Sequence, residues 1–207
     1  MSTHAARLIA PDGCDGRPHV APYQPGTANG TREHPADHGA DHGADHPAGN
    51  AAKHFRSVLS RFATGVVAIT ALDPDSGAPS GLAANSFTSV SLDPPLVAFC
   101  VAHTSTSWPR LRAAETLTVN VLAEHQQQVC AQLAARGGDK FAGLAWSRSP
   151  GGNPLLEGAL AWLECSIEAE HPAGDHVIVV ARVHQLDAHA DGGPLLFFRG
   201  GYGRFAS

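Results

Sequence analysis

Residues 85–91 read Asn-Ser-Phe-Thr-Ser-Val-Ser, four small hydroxyls and an amide in seven positions bounded by apolar runs. A strand inside a barrel normally spends one face on the core, so hydroxyls on both faces leave two readings. One face meets a polar ligand or another subunit, or the segment is a solvated edge strand rich in Ser and Thr. A second cluster, His103-Thr104-Ser105-Thr106-Ser107, leads into Trp108-Pro109. Hydroxyls and backbone N–H groups at a helix start make an anion site. Plain capping explains Ser107 but leaves Ser105 over. The third feature is Gly174-Asp175-His176, directly before the run Val177-Ile178-Val179-Val180. Gly and Asp suit a turn for backbone reasons alone. His176 opens a strand at a loop edge, where a histidine serves either structure or function. Nothing in the sequence pairs it with a nucleophile, which argues against hydrolase chemistry.

Several chemistries are missing. There is no G-x-S-x-G elbow, no G-x-x-x-x-G-K-[ST], no H-E-x-x-H, and no G-x-G-x-x-G between a strand and a helix. Gly200-Gly201-Tyr202-Gly203 follows a strand pattern but precedes no helix, so a Rossmann nicotinamide site is not expected.

The elements that would position these residues begin at Lys53. Phe55, Val58, Leu59 and Phe62 fall at i, i+3, i+4 and i+7, one face of an amphipathic helix that Gly65 ends. The β-branched run 66–70 predicts a strand closed by the turn-rich 73–79, and 82–90 predicts a second. Asp93-Pro94-Pro95 breaks the ladder before an apolar strand, 96–102, expected to be buried on both faces. Ser107 starts a helix with Pro109 in its first turn. A strand over 117–122, a helix over 124–135 stopped by Gly137-Gly138, and a loop over 143–154 follow. Two long strands, 160–170 and 177–186, form a hairpin about residues 172–175, and a final run covers 194–199. This order lacks the βαβ alternation of a doubly wound sheet. It predicts a mostly-β domain over 53–205, an antiparallel, closed or partly closed barrel with short helices.

Composition bounds the rest. The chain has 207 residues, 43% hydrophobic and 16% charged, with a formal charge of −5. Before Ala51 stand three basic and six acidic residues, and after it eleven and thirteen, so the domain is near neutral with no basic stripe for nucleic acid. Cys14, Cys100, Cys130 and Cys165 show no C-x-x-C spacing and are expected as free thiols. No apolar run has the length of a membrane span or a signal peptide, which predicts a cytoplasmic protein. Residues 1–50 carry Gly, Pro, Asp and His without apolar periodicity, and read as a disordered leader. Within them Asp-His-Gly-Ala recurs at 37–40 and 41–44, then Asp45-His46-Pro47-Ala48. That repeat suits Zn²⁺ or Ni²⁺ chemically, but lacks the supporting shell of a folded site, and no metal centre is expected.

Four strings resemble the short-chain flavin reductases, the reductase components of two-component flavin-dependent monooxygenases. They are Gly65-Val66-Val67-Ala68-Ile69-Thr70, the stretch 85–97 beginning Asn85-Ser86-Phe87-Thr88-Ser89, Val119-Asn120-Val121-Leu122, and Gly174-Asp175-His176. The resemblance runs from about Phe55 to Tyr202. It implies an FMN-binding split barrel, Greek-key-like and antiparallel, working as a homodimer with flavin sites near the subunit interface. By position, Ala83, Ala84, Asn85, Ser86, Phe87, Thr88 and Ser89 would line the flavin ring and ribityl chain. Ser105 and Ser107 would meet the phosphate, Lys140 and Phe141 would close the pocket, and His176, with Gly174 and Asp175, would sit at the nicotinamide side. The phosphate loop has no Lys or Arg beside it in sequence. The implied activity is NAD(P)H-dependent reduction of FMN or FAD, with NADH favoured because no arginine stands ready for a 2′-phosphate. Reduced flavin would pass by diffusion to a partner monooxygenase. The same barrel also serves a tightly FMN-bound electron carrier or a silent flavin-binding module.

Overall fold

The computed structural model describes residues 47–188 and 191–205. The leader reading and its His/Asp repeat lie outside the described residues, apart from positions 47–50. There α1 (Pro47–Leu59) already begins, six residues before Lys53. Its apolar stripe has formed as the spacing predicts, but it does not face a core. Phe55, Val58 and Leu59 are exposed, and Phe62 just beyond the helix is 76% exposed.

The chain then continues through β1 (Thr64–Gly65), β2 (Val67–Leu72), β3 (Pro79–Ala84), β4 (Thr88–Leu92) and β5 (Pro95–Ala102). The short α2 (Trp108–Ala113) precedes β6 (Leu117–Val121). A 3-10 turn at Glu124–Gln126 opens α3 (Gln127–Ala134). Two short strands, β7 (Trp146–Arg148) and β8 (Pro154–Leu156), pair within the stretch expected to be loop. The predicted hairpin is longer than its apolar signal: β9 (Ala161–Ala173) and β10 (His176–Ala188) are joined by Gly174-Asp175 alone. β11 (Leu195–Phe198) and β12 (Gly201–Arg204) close the described chain, and the sequence reading missed β12.

Seven strands form one antiparallel sheet in the order β3-β2-β6-β9-β10-β5-β4. The run expected as a single strand over 82–90 is two, on opposite edges of this sheet. The break at Asn85, Ser86 and Phe87 carries the chain from one edge to the other. There the Ser86 hydroxyl accepts from the Cys100 N–H at 2.9 Å and donates to the Cys100 carbonyl at 3.3 Å. Ser86 stands opposite Cys100 in the register that pairs Thr88 with Ala98, so its side chain extends the β4–β5 pairing one step into the crossing of a split barrel. Register shifts in β10 and β4 supply the bends that closure requires.

Alternation along β2 shows why the strand is apolar on both faces. Val67, Ile69 and Ala71 point into the barrel with Phe99, Val119 and Val179, while Ala68 points outward beneath Leu133 of α3. Gly81 on β3 lets α3 approach: a Cβ there would lie 3.0 Å from Leu133 and 3.2 Å from Phe141. α2 plugs the barrel with Trp108 and Leu111, and Trp108 meets Phe99 edge-on at 5.9 Å between centroids. Asn120 is fully buried. Its amide donates to the Thr70 hydroxyl at 3.0 Å, and its oxygen accepts from the Leu156 N–H at 2.9 Å, so β8 is pinned across β2 and β6. Cys100, Cys130 and Cys165 are free thiols, and burial pushes Cys165 up to about 12.

Candidate active site

At the barrel seam, where β3 ends and β5 passes, lies a cleft of about 320 Å³. Its floor is the backbone of Ala83, Ala84, Asn85 and Ser86, with Cys100 and Ala102 of β5 opposite. At one end stand Thr104, Ser105 and Thr106, and across from them Arg136 and Lys140. At another point of the wall is His176, which pairs with Ala102 in the sheet.

The positions of these groups follow from local structure. Ser105 Oγ accepts from the Trp108 N–H at 3.3 Å, whereas Ser107 makes no capping bond. The expected division of labour is therefore reversed, with Ser105 capping and Ser107 left free. α2 has only six residues, so helix polarity contributes little, and the positive charge comes from the opposite wall. Arg136 and Lys140 lie far from residues 104–106 in sequence, but the fold brings them to the same cleft. Arg136 projects from the end of α3. Lys140 is held by donating from Nζ to the Leu133 carbonyl at 2.8 Å, an ammonium capping the last turn of α3. Gln132 anchors the same loop through the carbonyls of Lys140 and Ala142. Burial without a carboxylate partner draws the Lys140 pKa below the usual lysine range. An anion in the cleft would offset that desolvation.

His176 Nδ1 lies 2.7 Å from Asp175 Oδ1, and this hydrogen bond lowers the Asp175 pKa. The carboxylate keeps the proton on Nδ1 and leaves Nε2 on the other side of the ring. The turn that aims the pair needs Gly174 at φ +64°.

Seven of the fourteen residues singled out in the sequence line this cleft: Ala83, Ala84, Asn85, Ser86, Ser105, Lys140 and His176. The others do not. Phe87 turns back against the barrel core, and Thr88 and Ser89 are exposed on β4 at the far edge. Phe141 is buried under Gly81 and packs edge-on against Trp146, so it supports the Lys140 loop rather than closing the pocket. Gly174 and Asp175 act through His176. Ser107 lines an adjoining cleft with Thr106 and Lys140. Thr104, Thr106, Arg136 and Cys100 line the cleft as well. Thr104 and Thr106 belong to a cluster already noticed, whereas Arg136 carries no motif and becomes visible only where α3 ends.

Known proteins bear on this geometry. Residues 59–206 match the flavin reductase like domain. The chain belongs to the flavin reductase-like family. A flavin reductase of Pseudomonas putida is 49% identical over 153 residues, 74% of this chain and 89% of that protein. The reductase subunit HsaB of a flavin-dependent monooxygenase from Rhodococcus jostii (strain RHA1) is 47% identical over 150 residues, 72% of this chain and 76% of the relative. Among solved structures, the NADH:FAD oxidoreductase SgcE6 of Streptomyces globisporus C-1027, in complex with NAD and FAD fragments, has a TM-score of 0.71 and 36% identity. That comparison covers 76% of this chain and 94% of the other.

The residues of this flavin reductase-like chain fit a flavin phosphate chemically. Two cations and three hydroxyls line one otherwise small-residue cleft, and one of the cations is desolvated without an anionic partner. The cleft continues into a smaller apolar groove between Ala84, Cys130, Phe197 and Tyr202. Tyr202 is pushed up to about 12, chiefly by its hydrogen bond with Cys130, and stays neutral there.

Proposed function

We propose that this protein is an NAD(P)H:flavin oxidoreductase that reduces FMN or FAD in the seam cleft and supplies reduced flavin to a partner monooxygenase. One observation carries the reading: hydroxyls, two cations and a carboxylate-oriented histidine converge on a single cleft floored by small residues. Family membership agrees with it. Flavin, when bound, supplies a ring that accepts hydride from the nicotinamide. The chain's own work is binding, orientation and exclusion of water. Arg136, Lys140 and the 104–106 hydroxyls hold the phosphate. Ala83 and Ala84 leave room for a flat ring, and the backbone of Asn85 and Ser86 offers dipoles to its polar edge. His176 orients the nicotinamide and is not an essential acid, because hydride transfer needs no proton from the protein.

NADH consumption that depends on added free FMN or FAD tests the reading. Purified protein that retains flavin and ignores NADH would overturn it in favour of an electron carrier. His176→Ala should raise the KM for NADH several-fold more than it lowers kcat, since it removes binding rather than chemistry. A large fall in kcat at unchanged KM would refute that role.

We infer further that the protein works as a cytoplasmic homodimer. Among the described residues no helix is long and apolar enough to cross a membrane. The exposed stripe of α1 is an apolar face that a second copy would cover, and Val90 and the 94%-exposed Leu92 of β4 are exposed too. Sedimentation should give a dimer, and Phe55→Glu with Phe62→Glu should shift it to monomer. A monomeric wild type sinks the inference.

A further inference from the structure

The last bonded amide of α3 is that of Ala135, which donates to the Ala131 and Gln132 carbonyls at 3.1 and 3.3 Å. Firm packing resumes at Phe141, whose ring is buried beneath Gly81 and lies edge-on to Trp146. Between these points no hydrogen bond among the described residues holds the backbone amides of residues 136–140. Residues 136–139 are exposed. Gly137 and Gly138 sit at φ +72° and +70°, and a Cβ added to either would meet nothing within 4 Å. This arc leans on nothing. Its far end is tied back to α3 by side chains: Gln132 Nε2 donates to the Lys140 and Ala142 carbonyls, and Lys140 Nζ to the Leu133 carbonyl. The last bond uses one of three ammonium protons and leaves two for an anion. The charges stand at the two ends of the arc. Arg136 and Lys140 both line the seam cleft, whereas Gly137, Gly138 and Asp139 between them line an adjoining one. An anion held by both cations would join the ends of the arc and take away the freedom of the glycines between.

Resting on the flavin reading above, we propose that residues 136–140 form a strap that the flavin phosphate fastens, and that ordering of its Gly137-Gly138 arc limits how tightly a phosphorylated flavin is held. Glycine loses more backbone freedom on ordering than any other residue, so the arc offsets part of the attraction between phosphate and cations. The strap thus weakens the hold on a ligand that must leave on every cycle. Riboflavin, which fills the same cleft without a phosphate, leaves it loose. Endoproteinase Asp-N cuts before aspartate, and the Gly138–Asp139 bond lies in the arc but not in the lining of the seam cleft. In the full chain, saturating FMN should slow that cut at least about fivefold relative to cuts at other aspartates, and saturating riboflavin less than about twofold. Saturation is read independently from quenching of flavin fluorescence. Lys140→Met, with FMN raised until it saturates again, should lose the protection. Gly137→Asn with Gly138→Asn introduces side chains that accept this φ and removes freedom from the unfastened arc. FMN should then bind about threefold or more tightly, with riboflavin affinity unchanged. Equal protection by riboflavin and FMN overturns the strap, as does an asparagine pair that leaves FMN affinity unchanged or weaker. FMN that binds without slowing the cut overturns the strap alone and leaves the seam cleft as the flavin site. Failure of both flavins to bind refutes the flavin reading itself.

Discussion

Replacing Arg136 and Lys140 together by glutamate should weaken binding of FMN or FAD at least about a hundredfold, and change riboflavin affinity less than about threefold. Each charge-assisted hydrogen bond to a phosphate contributes about 1.5–3 kcal/mol, and each 1.4 kcal/mol is tenfold in affinity. Arg136 is exposed and its share is reduced by solvent, while Lys140 is half-buried and makes its bond in a drier place. Reversing both signs adds repulsion to the loss. The double variant is expected to fold, because neither charge faces a core. Lys140→Met alone should cost about tenfold. Its clearest mark is in the pH profile. Burial lowers the Lys140 pKa in the free protein, and a bound phosphate raises it again, so flavin binding takes up a proton on the alkaline side. Affinity for FMN or FAD therefore falls as pH rises through that lowered pKa. The stability of the free protein moves the other way, since the unfolded chain binds more protons across the same window. Riboflavin, and any flavin with the Lys140→Met variant, should show no such fall. Equal losses for riboflavin and FMN in the double variant would refute the phosphate assignment.

Trp108→Ala should destabilise the protein by about 3–5 kcal/mol, the usual range for removing a buried large aromatic. Trp108 and Leu111 plug the barrel from a helix of only two turns, and Trp108 lies edge-on to Phe99, itself 1% exposed. A helix so short cannot hold its place by its own hydrogen bonds, so removing the plug also loosens the 104–107 loop before it. Urea denaturation should show the loss in the midpoint, and the FMN Kd should rise in parallel. Trp108→Phe should cost less than half as much and keep the affinity. A stability loss below about 1 kcal/mol for the alanine variant would show that α2 is an accessory and not a plug.

Much of the barrel can be read from the sequence because its strands announce themselves locally. The β-branched stretch of β2 and the long hairpin of β9 and β10 carry their period in their own residues. The pairing of edges is less legible. Residues 82–90 look continuous because strand chemistry runs through Phe87, and nothing local marks the crossing at Ser86. Read as one strand, the segment puts Thr88 and Ser89 on the ligand wall, whereas they stand on the opposite edge of the sheet. Arg136 is illegible for a related reason. It lines the cleft because of where α3 stops relative to β3, a long-range fact that depends on Gly81 admitting the helix. Phe141 had the right neighbourhood and the wrong direction, since Lys140 and Phe141 point to opposite sides of one loop. The α1 stripe was read correctly as amphipathic, but periodicity cannot say which surface will cover it.

The Ser86 bridge to Cys100 gives the seam a second significance. One hydroxyl ties the connector between β3 and β4 to β5, and both Ser86 and Cys100 line the cleft. Local opening of the barrel and occupancy of the cleft therefore draw on the same few atoms. A ligand laid across that seam acts as a removable clasp: breathing of the barrel is damped while it stays and resumes when it leaves. In a protein that must give up its reduced product on every cycle, release and relaxation of the barrel become one event.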